Sequence, residues 1–376
     1  MPAGQGEGYK GALIQKYSPY EGYYLEMSTG YFHRVTRETP TRFWINNPSE
    51  SEIDLAIEAG AVSCTTNPTY CAKLLKVEPD FITPLIDHAI VESTNDDTAA
   101  DSVCMEATKR LINRFLPLYE KSGGTQGFVT IQSDPRKDED ADEIISASLR
   151  YRALGPNFMT KIPVTAAGLK AIRTLAAESL PLCATEVFSI DQTIALCELC
   201  KEVAQKTGCH PPVYVTHITG IFDEYLAKLV SGEGIEIPAE TLEWAGSAVG
   251  RKEYRLLQKR GYAATMLGGG ARTTRHFTDF VGGDVHITIN WSAAQELIEA
   301  DPPVVSRIGV ETPAHVLQTL LDTLPDFRTA YEEGAMPVEA FADYGPVQLF
   351  RNNFIAGYER LLSEIAVCRK AQTNSA

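Results

Sequence analysis

The chain has 376 residues, 44% hydrophobic and 22% charged, enough for two average domains or one α/β barrel with extensions. Its formal net charge of −15 argues against a nucleic-acid or anionic-membrane partner, because an acidic surface repels phosphates, though a local basic pocket for a small phosphate stays open. No window approaches the ~18 consecutive apolar residues of a membrane span, and the N-terminus lacks the apolar core of a signal peptide. Eight irregularly spaced cysteines read as reduced thiols, so a cytoplasmic protein is expected.

Residues 1–40 form an aromatic-rich N-terminal extension, with six tyrosines by Tyr31. From about residue 41, short β-rich runs alternate with longer helical patterns. The runs are TRFWIN (41–46), GAVSCTT (60–66), QGFVTIQ (126–132), NFMTKI (157–162), LPLCATEVF (180–188), PPVYVTHI (211–218), YAATML (262–267) and DVHITI (284–289). Between them lie segments such as SESEIDLAIEAG, DADEIISASLRYRAL, TAAGLKAIRTLAAES and WSAAQELIEA, with helical periodicity. Strands each followed by a helix predict a parallel sheet, and eight of them over residues 41–300 predict a closed (β/α)8 TIM barrel. No Gly-x-Gly-x-x-Gly follows the first run, which speaks against a dinucleotide-binding fold. Residues 301–376 read as a helical tail whose Phe, Tyr and Leu residues need a surface to cover, on the barrel or on a second copy of the chain in a homo-oligomer.

The densest cysteine group is Cys197-x-x-Cys200 with Cys209 and His210 nearby. No second ligand pair with matching spacing completes a zinc site. The segment instead has helical periodicity, with Ser189 or Asp191 as its cap and the two cysteines one turn apart on a buried face.

Lys161 stands at the end of the fourth run, before Pro163 and a helix. Alternation puts it on the face of Met159, toward the barrel centre, at the C-terminal end of the strands where barrel active sites sit. Burial disfavours the ammonium and lowers a lysine pKa, which is what a Schiff-base-forming amine requires. The competing reading is a lysine that snorkels out of the strand or pairs with a carboxylate. Asn67, before Pro68 at the end of the second run, is placed to bond a substrate hydroxyl or to form a turn.

Four stretches, GAVSCTTNP, KIPVTAAGLKAI, ATEVFSIDQ and RGYAATMLGGGARTTRHFTDFVGGDVHITI, resemble the transaldolase family, including its short fructose-6-phosphate aldolase branch, in the same order over roughly residues 41–300. Thr-Thr-Asn-Pro and Lys-Ile-Pro-Val-Thr, about 95 residues apart, are specific as a pair. The resemblance implies a (β/α)8 barrel and class I aldolase chemistry, in which a lysine forms an imine with a ketose and retro-aldol cleavage leaves a three-carbon enamine for transfer or hydrolysis. It implies that Lys161 is the imine-forming residue, that Asn67 binds the donor hydroxyls, and that Thr185 helps hold the catalytic water. It also places Thr216 facing the substrate and Arg272 in the phosphate site, with Arg275 one helical turn later. No metal or other cofactor is implied, since the imine is the electron sink; the ligand is a small sugar or sugar phosphate.

Five positions depart from that pattern. Asn46 stands where the family has an aspartate that moves the hydroxyl proton, and an amide exchanges no proton near pH 7. Gln132 stands where long transaldolases have a glutamate, as in the short branch. Ile221 replaces a phosphate-binding arginine, Ile218 stands where the aldolase branch has a tyrosine, and Gly270 replaces a serine before Arg272. Glu186 and His217 are the nearest carboxylate and imidazole, but strand alternation turns both toward the helix layer. Tyr214 shares a face with Thr216 but lies deeper, and Glu26, His33 and the early tyrosines are candidates to reach over the mouth. The reading favoured is a Schiff-base transaldolase or aldolase with altered acid/base residues; the alternative is a weakened homologue that binds or senses sugars.

Overall fold

The computed structural model describes residues 30–375. Eight strands close into a barrel, β1 (Arg42–Asn46), β2 (Ser63–Thr65), β3 (Val129–Ile131), β4 (Phe158–Pro163), β5 (Leu182–Val187), β6 (Val213–Ile218), β7 (Thr265–Gly269) and β8 (Val285–Ile289), in sequence order. Every neighbouring pair is parallel, including β1 with β8, so the predicted TIM barrel is the observed fold. Each strand overlaps one of the eight β-rich runs, β4 and β7 ending one and two residues past theirs, because strands covered on both faces must be apolar nearly throughout. β4, β5 and β6 are buried at all six positions.

The inward positions form two layers. Trp44, Phe128, Met159, Cys183, Tyr214 and Leu267 pack together as an apolar floor. Trp44 Nε1 and His286 Nδ1 are 2.7 Å apart within it, and burial pushes the His286 imidazole down to about 3, so it is neutral there. Above the floor the inward side chains turn polar, with Thr65, Lys161, Thr216 and Thr288 facing a cavity. The outward faces pack on the crossover helices in one larger core.

The helices begin where local chemistry allows. Ser189 accepts from Gln192 N at 3.2 Å in a capping box that opens the helix Ile190–Thr207, so Ser189 rather than Asp191 is the cap; Cys197 and Cys200 lie on that helix. Asp191 instead accepts from Gly334 N and Met336 N, tying the tail to the barrel. Thr165 accepts from Gly168 N at 3.0 Å and starts the helix Ala166–Ala177 directly after β4.

The helix Tyr31–Glu38 packs on the outer face of β1: Phe32 stacks on Phe43 with ring centroids 4.2 Å apart. Beyond β8 and the helix Trp291–Ala300, the chain ends in the 31-residue helix Gly345–Ser375, whose first half passes over the cavity. Phe350, Phe354, Tyr358, Leu361 and Ile365 bury its inner face. Among the described residues no helix is long and apolar enough to cross a membrane.

Candidate active site

A cavity of about 720 Å³ opens at the C-terminal end of the strands. Lys161 lines it from β4 and keeps only 7% exposure. Its Nζ donates to Thr66 O at 3.2 Å, and the Phe354 ring centroid lies 5.3 Å away. Among the described residues no carboxylate pairs with it within 4.0 Å, so the salt-bridge reading of this lysine does not hold. Burial lowers its pKa, against the opposing pull of Cys183, Glu186 and Asp138.

Asn46 and Asn67 line the same cavity from the ends of β1 and β2. Asn46 accepts from Thr65 Oγ1 at 2.9 Å and donates to Asn290 Oδ1 at 2.8 Å. The Oδ1 of Asn67 accepts from Thr69 N and Thr69 Oγ1, so the oxygen makes a turn; the amide nitrogen is the group left for a ligand. Asn47, at φ +46°, accepts from Asn67 N and joins the lining. Thr216 lines the wall from β6, with Cys183 Sγ 3.4 Å from its hydroxyl.

The fifth strand departs from the predicted alternation. Ala184 pairs with Val215 and Val187 with His217, so Thr185 and Glu186 together face the single residue Thr216. This is a β-bulge, and it puts Glu186 in the left-handed region at φ +60°, a rare conformation for a glutamate. The expectation that Glu186 points into the helix layer is therefore corrected. Its Oε1 accepts from Gln132 Nε2 at 3.4 Å, and the same nitrogen donates to Asp138 Oδ2 at 3.2 Å. Glu186 and Asp138 are fully buried, and burial pushes Glu186 up to about 7, against the lowering by the Gln132 bond, Lys161 and Arg351. Asp138 is held well above the usual carboxylate range by burial and by Glu186. Gln132 thus belongs to this carboxyl cluster and not to the cavity wall. Thr185 is fully buried beside it, its hydroxyl without a hydrogen-bond partner among the described residues.

His217 keeps to the alternation: Nδ1 sits 3.3 Å from Glu253 Oε2 and Nε2 3.0 Å from Gly246 O, in the helix layer. Tyr214 lies in the floor, as its register implies. His33 is 2.8 Å from Glu58 O, at the end of the barrel opposite the cavity, so it does not reach the mouth. Glu26 and the tyrosines before Tyr31 lie outside the described residues.

Arg272 lines the cavity from the loop after β7, its Nε donating to Glu224 Oε2 at 2.8 Å. Arg275 does not line it; it pairs with Glu243 and lies 3.7 Å from Asp279, facing outward from the short helix Arg275–Thr278. Sequence reasoning missed Lys73 with Glu52, Glu224, Asn290 and, from the C-terminal helix, Phe350, Asn353 and Phe354. Lys73 sits in the first turn of the helix after β2 and Glu224 in the second turn of the helix after β6, beyond the strand ends that draw attention. Residues 350–354 had no local signal, since only tertiary packing brings them over Lys161.

A family model described as transaldolase/fructose-6-phosphate aldolase matches residues 43–335. Proteins named transaldolase from Mycobacterium ulcerans (strain Agy99) and Mycobacterium marinum (strain ATCC BAA-535 / M) are each 28% identical over 327 residues, covering 81% of this chain and 79% of theirs. A transaldolase from Mycobacterium leprae (strain Br4923) is 25% identical over 299 residues, covering 76% of this chain and 72% of its own. With an eight-stranded parallel barrel and a match across most of its length, the chain belongs to the transaldolase/fructose-6-phosphate aldolase family.

Proposed function

We propose that this protein is a class I aldolase or transaldolase whose Lys161 forms an imine with a ketose. The observation that carries the reading is a lysine buried at the barrel mouth, with no carboxylate partner among the described residues, facing a polar cavity of about 720 Å³. A lowered pKa leaves a larger share of the amine neutral near pH 7 than an ordinary lysine offers. Attack on the ketose carbonyl and loss of water give the iminium. In cleavage the hydroxyl beyond the scissile bond gives its proton to water in the cavity as that bond's electron pair moves to the iminium nitrogen. An aldehyde leaves, and the three-carbon enamine adds to an acceptor aldehyde or is hydrolysed.

The proton duties differ from the pattern that the family resemblance implies. Asn46 can hold a hydroxyl by hydrogen bond but cannot take its proton. We assign Glu186 the part of setting the charge of Lys161, with Gln132 and Asp138 holding its carboxyl in place. Thr185, with a buried and unengaged hydroxyl, fits the handling of the water lost and regained at the imine carbon. The free cysteines among the described residues suit a reducing compartment, and we place the protein in the cytoplasm.

Incubation with fructose or fructose 6-phosphate and an acceptor aldehyde, followed by chromatography, tests the activity. Wild type is expected to transfer or release the three-carbon unit and Lys161→Ala to do neither; equal product from both contradicts the reading. Asn46 favours a second reading, a sugar-binding homologue that turns over poorly. Imine formation without carbon–carbon cleavage would identify it.

A further inference from the structure

We propose that the cavity above Lys161 is built for an unphosphorylated polyhydroxy ketose and discriminates against its phosphate ester. The assignment rests on the Schiff-base reading of the same site. A phosphate monoester carries nearly two negative charges near neutral pH and needs cations free to face it. Among the described residues three cationic side chains line the cavity: Lys73, Lys161 and Arg272. Two are already compensated by carboxylates that line it too. Lys73 Nζ lies 2.8 Å from Glu52 Oε2 and also donates to Asn47 O, while Arg272 Nε donates to Glu224 Oε2 at 2.8 Å. Lys161 is the reacting group. A phosphate approaching Arg272 would meet the Glu224 carboxylate at the same guanidinium.

Among the described residues, the other side chains beside Arg272 at that end are apolar. Ile218 and Ile221 line it, and the Gly270 position, at φ +63°, would place a Cβ 2.6 Å from Ile218 Cγ2, so a hydroxyl-bearing residue does not fit there without moving Ile218. Elsewhere in the lining, among the described residues, stand five asparagines: Asn46, Asn47, Asn67, Asn290 and Asn353. A primary amide both donates and accepts, as a sugar hydroxyl does, and it carries no charge. The wall therefore matches a row of hydroxyls.

The test is capture of the imine by borohydride, read by intact mass, as a function of concentration for dihydroxyacetone, fructose and fructose 6-phosphate. Fructose is expected to reach half-maximal capture at a concentration at least tenfold below that of fructose 6-phosphate. Equal or better capture of the phosphate ester overturns the substrate assignment while leaving the Schiff base standing. No adduct with any of the three removes the Schiff-base reading and the assignment with it. Glu224→Gln frees the Arg272 guanidinium and is expected to improve fructose 6-phosphate capture several-fold with little change for dihydroxyacetone. An unchanged preference in that variant contradicts the neutralisation argument.

Discussion

Lys161 and Glu186 are the two residues whose ionisation the fold distorts most usefully. Burial drives the lysine toward its neutral amine and the glutamate toward its neutral acid, and each partly restores the other's charge. The glutamate keeps its proton up to about pH 7 in the folded chain but releases it near 4.5 when unfolded. Between those values the folded state binds more protons, so this group's contribution to stability falls as pH rises, and is flat above pH 7. The loss is on the order of 3 kcal/mol for this group. In Glu186→Gln, chemical denaturation at pH 4.5 and pH 8 is expected to show a smaller drop between the two than wild type; an identical drop would be inconsistent with a buried, proton-holding Glu186. The same variant removes a negative charge that raises the lysine pKa, so imine capture is expected to persist to lower pH.

At the scale of elements, the site depends on how β4 hands over to its helix. Gly168 sits in the first turn of Ala166–Ala177, and a Cβ there would lie 1.8 Å from Pro163 O. Gly168→Ala must push the helix off the strand carrying Lys161, and a cost above about 2 kcal/mol is expected. Gly232, in the last turn of the helix Thr219–Glu233, has nothing within 4 Å, and Gly232→Ala is expected to be neutral or stabilising by up to about 1 kcal/mol. Urea midpoints of the pair check this, and similar shifts would contradict it. The eight strands were legible because a buried parallel strand is apolar on both faces, and Lys161 because a charge among them has few innocent uses. Glu186 was not: the bulge that opposes two residues of β5 to one of β6 breaks the period of two on which face assignment depends. Arg275 was misplaced for a related reason, since its position follows from a short helix that turns it toward Glu243.

The whole molecule adds what no single strand holds. Residues 345–375 carry Phe350, Asn353 and Phe354 across the mouth, and Arg351 from the same helix pairs with Glu139 and acts on Glu186. The low exposure of Lys161 is thus partly the work of a helix that starts almost two hundred residues later. Phe354→Ala is expected to cost about 3–5 kcal/mol and, by admitting water, to raise the Lys161 pKa. Phe354→Leu, which keeps most of the volume, separates the two effects. The pH threshold for imine capture is expected to move upward in Phe354→Ala, opposite to Glu186→Gln, and much less in Phe354→Leu; a threshold that does not move in Phe354→Ala would mean that Phe354 only packs.

The central claim is that Lys161 is an imine-forming nucleophile. Intact-mass spectrometry and peptide mapping after borohydride reduction with dihydroxyacetone, beside a Lys161→Ala control, test it most directly. The account predicts one stable three-carbon adduct on the peptide carrying Lys161 and none on the control. No adduct, or an adduct retained in the control, would contradict it.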